Sequence, residues 1–176
     1  MVFIAESITT FYDKEQDRLS LIFCGEDKKQ LLGLMTRQFL KNTLKQLPHW
    51  LSRQYPNFKI RTAEQQWEVN CLAHQISQQK ITVSYGKIQS SNHIESFLIH
   101  TINLSNKYSG NYNPKIKLEF LDASSTIKIG LILDLAHLHK LIGEILKQVQ
   151  VWDIDNPWQN KNVSSFLSNT NEKIIH

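Results

Sequence analysis

The chain lacks most of the residue patterns that mark a specialised class of protein. Its two cysteines, Cys24 and Cys71, stand at unrelated positions, so they do not form the disulfide framework of a small secreted domain. No apolar run approaches the roughly 18 residues that a membrane span requires. The first ten residues carry no basic segment typical of a secretory signal. These absences favour a cytoplasmic protein without a membrane anchor.

The local constellations that support catalysis are missing as well. The six glycines are scattered and form neither GxGxxG nor GxxxxGK, and no GxSxG or HExxH pattern occurs. His137 and His139 are the one close pair among seven histidines. Their spacing directs them to different sides of a helix, which does not suit a metal site. We therefore expect no enzyme, cofactor, metal or small-molecule substrate; an enzyme would need a site assembled from residues distant in the sequence.

What the chain does contain is enough apolar sequence for one folded domain. Of its 176 residues, 41% are hydrophobic, which excludes a disordered chain and allows a sizeable core. The net charge of +4 is a mild basic bias. By itself it is too weak to name a nucleic acid as partner.

A hairpin–helix pattern occurs twice, at residues 18–47 and 115–146. At an offset of 97 positions, the first-strand residues Leu19, Leu21 and Phe23 align with Ile116, Leu118 and Phe120. The same offset aligns Gly33 with Gly130 in the second strand. The pattern predicts an α+β fold in which two antiparallel β-hairpins are each followed by an amphipathic helix, as pseudo-repeated halves of one domain. Convergent patterning is the alternative to duplication.

The domain organisation follows from this pattern. We predict a single globular domain over residues 1–160, with halves at about 5–60 and 81–150, a connecting helix at about 62–79 and a disordered tail at 161–176. Thr62 and Gln65 have the spacing of a capping box at the start of the connecting helix.

Local signals define the remaining elements. Thr36 and Asp134 are suited to cap the two amphipathic helices. Pro48 lies inside the first of these helices, where it removes a hydrogen bond and predicts a kink or break. Additional strands are predicted at residues 5–12, 81–85 and 94–104, and a loop at 106–114.

The segment Trp152 to Trp158 is the most distinctive short stretch. Two tryptophans enclose acidic residues and a proline immediately after the last helix. Tryptophan is enriched at binding hot spots, so Trp152, Asp153, Asp155 and Trp158 are candidates for a partner-binding strip. The alternative is that the strip folds back over the protein's own sheet, since large aromatic side chains are costly to expose.

A basic stripe follows one side of the first helix. Arg37, Lys41 and Lys45 are four residues apart, and Arg53 extends the series. Such a stripe can track phosphates. The alternative is an ordinary solvated helix face, because the sequence interleaves no aromatic platform with these cations.

Two functions therefore stand beside each other. The first is a non-catalytic adaptor or assembly protein that acts through protein–protein contact or self-association, using the Trp152–Trp158 strip. The second is a nucleic-acid-binding accessory protein that uses the basic stripe. No membrane partner is expected.

Overall fold

A computed structural model describes residues 2–55, 62–84, 94–107 and 115–158. The strands are β1 (Val2–Ala5), β2 (Ser7–Asp13), β3 (Arg18–Cys24), β4 (Gln30–Thr36), β5 (Glu95–Leu98), β6 (Thr101–Lys107), β7 (Lys115–Leu121) and β8 (Lys128–Asp134). The helices are α1 (Arg37–Ser52), α2 (Ala63–Lys80) and α3 (Leu135–Gln148), followed by a 3₁₀ turn at Gln150–Trp152. The predicted α+β class is confirmed. The predicted tail at 161–176 and most of the predicted 106–114 loop lie outside the described residues.

The strands form two four-stranded sheets of the same design. Sheet I has the order β2-β3-β4-β5, and sheet II has the order β1-β8-β7-β6. Each sheet contains three consecutive antiparallel strands and one short strand that pairs in parallel with the last of them. The short strand comes from the other half of the chain, so each half completes the sheet of the other.

Two continuous strands predicted from sequence are each divided between the sheets. The chain leaves sheet II for sheet I at Glu6, whose backbone N–H donates to the Cys24 carbonyl at 2.9 Å. It crosses back at Ile99 and His100, whose N–H groups donate to Leu34 and Leu121 at 2.8 Å each. Residues 81–84 of the predicted strand at 81–85 do not form a strand with any described residue, and Tyr85 lies outside the described residues.

The core lies between the inner faces of the sheets and the apolar stripes of the helices. Strand alternation sends one set of side chains inward. Phe23 from sheet I and Phe120 from sheet II are both buried there and contact each other. The stripe of α1 contributes Leu40, Leu44, Leu47 and Leu51. This burial is the main favourable term for the fold.

Both amphipathic helices begin directly where a strand ends. The Thr36 hydroxyl accepts from the Phe39 N–H at 3.2 Å, and the Asp134 carboxylate accepts from the His137 N–H at 2.7 Å. Each cap satisfies a backbone donor that the helix leaves unpaired. The predicted break at Pro48 does not occur, because the buried leucine stripe continues on both sides of it and holds the helix to Ser52.

The register of the hairpins corrects one detail of the sequence alignment. Gly33 pairs with Leu21, whereas Gly130 pairs with Glu119, so the two glycines do not hold corresponding positions. The position that corresponds to Gly33 is Leu131, opposite Leu118. The inserted residue therefore lies in the turn between the hairpin strands, and everything after it shifts by one.

Helix α2 packs on α3 through a polar face. The predicted capping box is present, with Thr62 accepting from the Gln65 N–H at 3.2 Å. The buried residues of α2 are Asn70, Cys71, His74 and Ser77, so its contact surface is unlike the leucine stripe of α1.

Candidate functional site

A groove runs between one side of α1 and strand β6, the edge strand of sheet II. We call it the first groove; its volume is about 710 Å³. Helix α1 and its C-terminal cap contribute Phe39, Asn42, Thr43, Lys45, Gln46, Leu47, His49, Trp50 and Arg53, and the β6 side contributes His100, Thr101, Ile102 and Leu104. The groove lies where α1, which starts at the end of β4, comes beside β6, a strand that has no partner on its outer edge among the described residues.

The walls of the first groove are largely apolar. Leu47 is buried, and Ile102 and Leu104 are half-buried residues that pack against the core. Phe39 and Trp50 are half-buried and flank the opening. Aromatic side chains with one free face are the type of anchor found at binding hot spots.

The charge of the first groove is positive. Lys45 and Arg53 are exposed, and the Arg53 guanidinium lies 2.8 Å from Nε2 of His49. Among the described residues, no aspartate or glutamate lines it. An occupant would therefore meet an apolar surface bordered by two uncompensated cations.

A second groove occupies the corresponding place in the other half, between α3 and β2. The described register matches Ile102 to Ile8, since each pairs with the equivalent phenylalanine, Phe120 or Phe23. In α3, the lining residues His137, Lys140, Leu141, Glu144 and Gln148 hold the places of Phe39, Asn42, Thr43, Gln46 and Trp50 in α1. The two grooves thus have equivalent walls built from different side chains.

The second groove differs because a segment of the chain itself lines it. Residues Ile81 to Ser84, which follow α2, form one of its walls, and its volume is about 230 Å³. Its charges are balanced: Lys140 Nζ is 3.2 Å from the Glu144 carboxylate and also donates to the Gln78 carbonyl at 3.0 Å. Within the described ranges, the first groove has no such chain segment along it.

Trp152 and Trp158 are buried, as expected from the alternative in which the segment folds back over the protein. Trp152 is 1% exposed, and its indole N–H donates to the Asp17 carboxylate at 2.5 Å. Trp158 is 6% exposed and stacks on His74 with ring centroids 4.4 Å apart. The indoles are buried because the segment folds back across the sheet and α2.

The two acidic candidates of this segment are exposed. Asp153 ends the 3₁₀ turn in a left-handed conformation, with a φ of 49°. Asp155 is exposed on the same stretch. Because the two indoles are buried, these exposed carboxylates have no apolar side chain of the tryptophans beside them at the surface.

Only two of the four cations of the basic stripe line the first groove. All four cations are exposed, three on α1 and Arg53 directly after it, but Lys45 and Arg53 line the first groove whereas Arg37 and Lys41 do not. The structure also places Phe39 and Trp50 beside the cations, so aromatic side chains do accompany half of the stripe. Sequence reasoning missed the groove because β6 is distant in the chain; the signal was the pair of aromatic residues at the border of the leucine stripe.

A cluster of buried polar and aromatic side chains lies between α2, α3 and Trp158. Tyr55 and Nε2 of His139 are hydrogen-bonded at 2.8 Å, and His74 lies 5.6 Å from His139 between ring centroids. Burial lowers the pKa of His74 to about 4; burial and the nearby His74 lower the pKa of His139 to about 4. Both imidazoles are therefore neutral at pH 7.

The cluster offers little nucleophilic chemistry. Burial, with a smaller effect of Glu68, raises the pKa of Cys71 to about 11, so this thiol stays protonated near neutral pH. Within the described part of the chain, no group of three or more His, Cys, Asp or Glu side chains is arranged to hold a metal ion. The described helices include none with the length and apolarity to cross a membrane.

Comparison with known proteins adds no family: no protein-family model, curated protein or solved structure matches the chain.

Proposed function

We propose that this protein is a non-catalytic interaction module that binds an extended segment of a partner protein in the first groove. The observation that carries the proposal is the second groove. There, an equivalent helix and an equivalent edge strand are lined by the segment Ile81–Ser84 of the chain itself, which begins with extended backbone angles at Ile81. A groove of the same design, about three times larger and without such a segment in the described ranges, suits the same kind of occupant from another molecule.

The chemistry of the walls supports this proposal. Binding energy at protein interfaces is concentrated in a few aromatic and arginine side chains around an apolar centre. The first groove provides Phe39, Trp50 and Arg53 around Leu47 and the inner face of β6. The unpaired backbone of an edge strand adds hydrogen-bonding groups that an extended chain can use. An adaptor or assembly role then rests on this groove and not on the Trp152–Trp158 segment.

A nucleic-acid-binding accessory protein is the second candidate. The observation that favours it is the position of Phe39 and Trp50 beside Lys45 and Arg53, since bases stack on aromatic rings next to cations. The apolar floor argues for a polypeptide, because phosphates and sugars gain nothing from contact with Ile102 and Leu104.

Site-specific photo-crosslinking in the native host tests the proposal. A benzoylphenylalanine replaces Gln46, which lines the first groove, and in a matched variant it replaces Lys41, which is exposed on the same helix outside the groove. We expect a discrete polypeptide adduct from position 46 and none from position 41. The crosslinked segment is then mapped by mass spectrometry, synthesised, and titrated into the purified protein.

The proposal holds if the synthetic segment binds the purified protein and Trp50→Ala weakens that binding. It is overturned by equal adducts from positions 41 and 46 or by an adduct with nucleic acid. An intramolecular adduct with residues 159–176 would also overturn it, since the groove would then bind its own tail.

A further inference from the structure

We infer that the segment bound by the first groove is acidic as well as extended: a stretch in which Asp or Glu side chains alternate with apolar ones. The inference rests on the proposed function and specifies the partner. It follows from a comparison of the charges in the two grooves and from the geometry of an extended chain.

The positive charge of the first groove is specific to that groove. Lys45 corresponds to Gly143 in α3, and Arg53 corresponds to Val151 in the 3₁₀ turn that follows it, so neither cation has a charged counterpart there. The ion pair of the second groove, Lys140 with Glu144, corresponds to the neutral Asn42 and Gln46. The first groove thus has two cations and, among the described residues that line it, no carboxylate.

The charge of the second groove matches the segment that lines it. Residues 81–84 have the sequence Ile-Thr-Val-Ser, which carries no charge, and the walls carry one cation paired with one anion. By the same matching, a groove with two cations and no carboxylate among the described residues that line it selects a segment with negative charge. Complementary charges raise the association rate and exclude partners of the wrong sign.

The chain's own C-terminal residues have the wrong charge for this groove. Residues 159–176 contain Lys161 and Lys173 against a single acid, Glu172. Their side chains carry one more positive than negative charge, which gives no acidic complement to Lys45 and Arg53. The occupant is therefore better supplied by another protein.

The alternation of the segment follows from strand geometry. Successive side chains of an extended chain point to opposite sides. One set would face the apolar wall formed by Leu47, Ile102 and Leu104, and the other set would face the border where Lys45 and Arg53 lie. Apolar and acidic residues at alternate positions satisfy both surfaces at once.

Fluorescence anisotropy with the full chain tests the inference. The probes are three fluorescein-labelled peptides in which valine alternates with glutamate, glutamine or lysine, and a labelled oligothymidylate. We expect the glutamate peptide to bind several times more tightly than the glutamine peptide, because each exposed ion pair contributes modestly to binding. The lysine peptide should bind least.

Two double variants with the same change of charge distinguish the groove from the helix stripe. The double variant Lys45→Glu with Arg53→Glu reverses the charge of the first groove. The double variant Arg37→Glu with Lys41→Glu reverses the charge of two exposed positions outside the groove. We expect the first variant to lose binding of the glutamate peptide and to gain binding of the lysine peptide. The gained binding would also show that this variant is folded. The second variant should bind the glutamate peptide as the unmodified protein does.

Each other result has a definite meaning. Equal binding of the glutamate and glutamine peptides, unaffected by the groove variant but weakened by Trp50→Ala, would overturn the acidic preference and leave the peptide groove standing. Equal loss of the glutamate peptide in both double variants would overturn the inference, because only overall charge would matter. Oligothymidylate binding that exceeds all peptide binding would overturn both the inference and the proposed function.

Discussion

Phe23 and Phe120 hold corresponding positions in β3 and β7, and their rings meet in the core with centroids 4.8 Å apart and planes inclined by 55°. Each lies in an inner strand of its own sheet. The contact therefore joins the two halves where their inner faces pack together. It shows that neither half has a complete core alone, which agrees with the exchange of β1 and β5 between the sheets.

This contact predicts coupled stability. Phe23→Ala or Phe120→Ala should each lower the free energy of unfolding by about 3–5 kcal/mol, the usual cost of removing a buried phenylalanine. In a cycle of Phe→Leu variants, the two rings should show a coupling of about 0.5–1.5 kcal/mol, as for other aromatic pairs. Urea denaturation measures both quantities. Strict additivity of the two Phe→Leu changes would show that the rings do not act as a pair.

The two glycines that the sequence aligned should respond differently to alanine. A Cβ on Gly33 would lie 2.8 Å from Ile99 Cδ1 and 2.9 Å from Phe23 Cε2, inside the core. A Cβ on Gly130 would lie 3.3 Å from the tip of Ile4, a side chain that is 59% exposed. Gly33→Ala should therefore cost about 1–3 kcal/mol through overpacking.

Gly130→Ala is the matched control and should change stability by no more than about 0.5 kcal/mol. Thermal and urea unfolding of the two variants provide the comparison. Equal destabilisation by both would contradict the one-residue displacement that the strand register defines.

The burial of Trp152 predicts a structural role for a residue that the sequence suggested as a docking contact. Trp152→Ala should lower the free energy of unfolding by about 3–5 kcal/mol. It removes the edge-on contact with Tyr12, whose ring centroid is 5.5 Å away, and the hydrogen bond to Asp17. Val151→Ala next to it, at a side chain that is 66% exposed, should be nearly neutral. A Trp152→Ala protein of unchanged stability would show that the indole does not belong to the core.

The two buried histidines predict a loss of stability at mildly acidic pH. Their pKa values are about 4 in the folded protein because of burial, against about 6.5 for an unperturbed histidine. Between these values the unfolded chain binds more protons than the folded one. The free energy of unfolding is therefore highest above about pH 6.5 and falls as the pH is lowered toward 4.

Urea unfolding at pH 7.5 and pH 5 measures this dependence. His74→Gln should reduce the difference between the two pH values, because one neutral buried imidazole is gone. His100→Gln, at an exposed histidine, should leave the difference as it is. An unaltered pH dependence in the His74 variant would mean that other groups cause it. The pKa of Asp122 is lowered to about 2, chiefly by hydrogen bonds from Ser124 and the Ile127 backbone. Carboxylates of this kind change the stability only at lower pH.

The sequence alone determined the features that depend on neighbouring residues. Alternating apolar residues in β3, β7 and β8 predict strands because a half-buried strand has a period of two. Thr36, Asp134 and Thr62 predict helix starts because a short oxygen-bearing side chain satisfies the first free N–H groups. The leucine stripe of α1 and its continuation past Pro48 lie in one stretch of chain, and of the kink or break predicted at this proline the break does not occur.

The crossing of strands between sheets needed the tertiary structure, although the sequence contains a trace of it. Core-facing residues change from odd to even positions where the chain crosses, from Phe3 to Ile8 and from Phe97 to Ile102. A change of parity marks a break in a strand. It does not say which sheet the next segment joins, because the hydrogen-bonding partner of a strand lies far away in the chain.

Only the tertiary structure decided which side chains are exposed and which surfaces meet. Trp152 is buried because Tyr12 and Asp17, from the opposite end of the chain, lie against it. The first groove combines α1 with β6, and its counterpart is lined by the segment after α2. Burial and the walls of a groove depend on contacts between residues that are distant in the chain. Periodicity and capping are local, so they determine the helices and strands but not these surfaces.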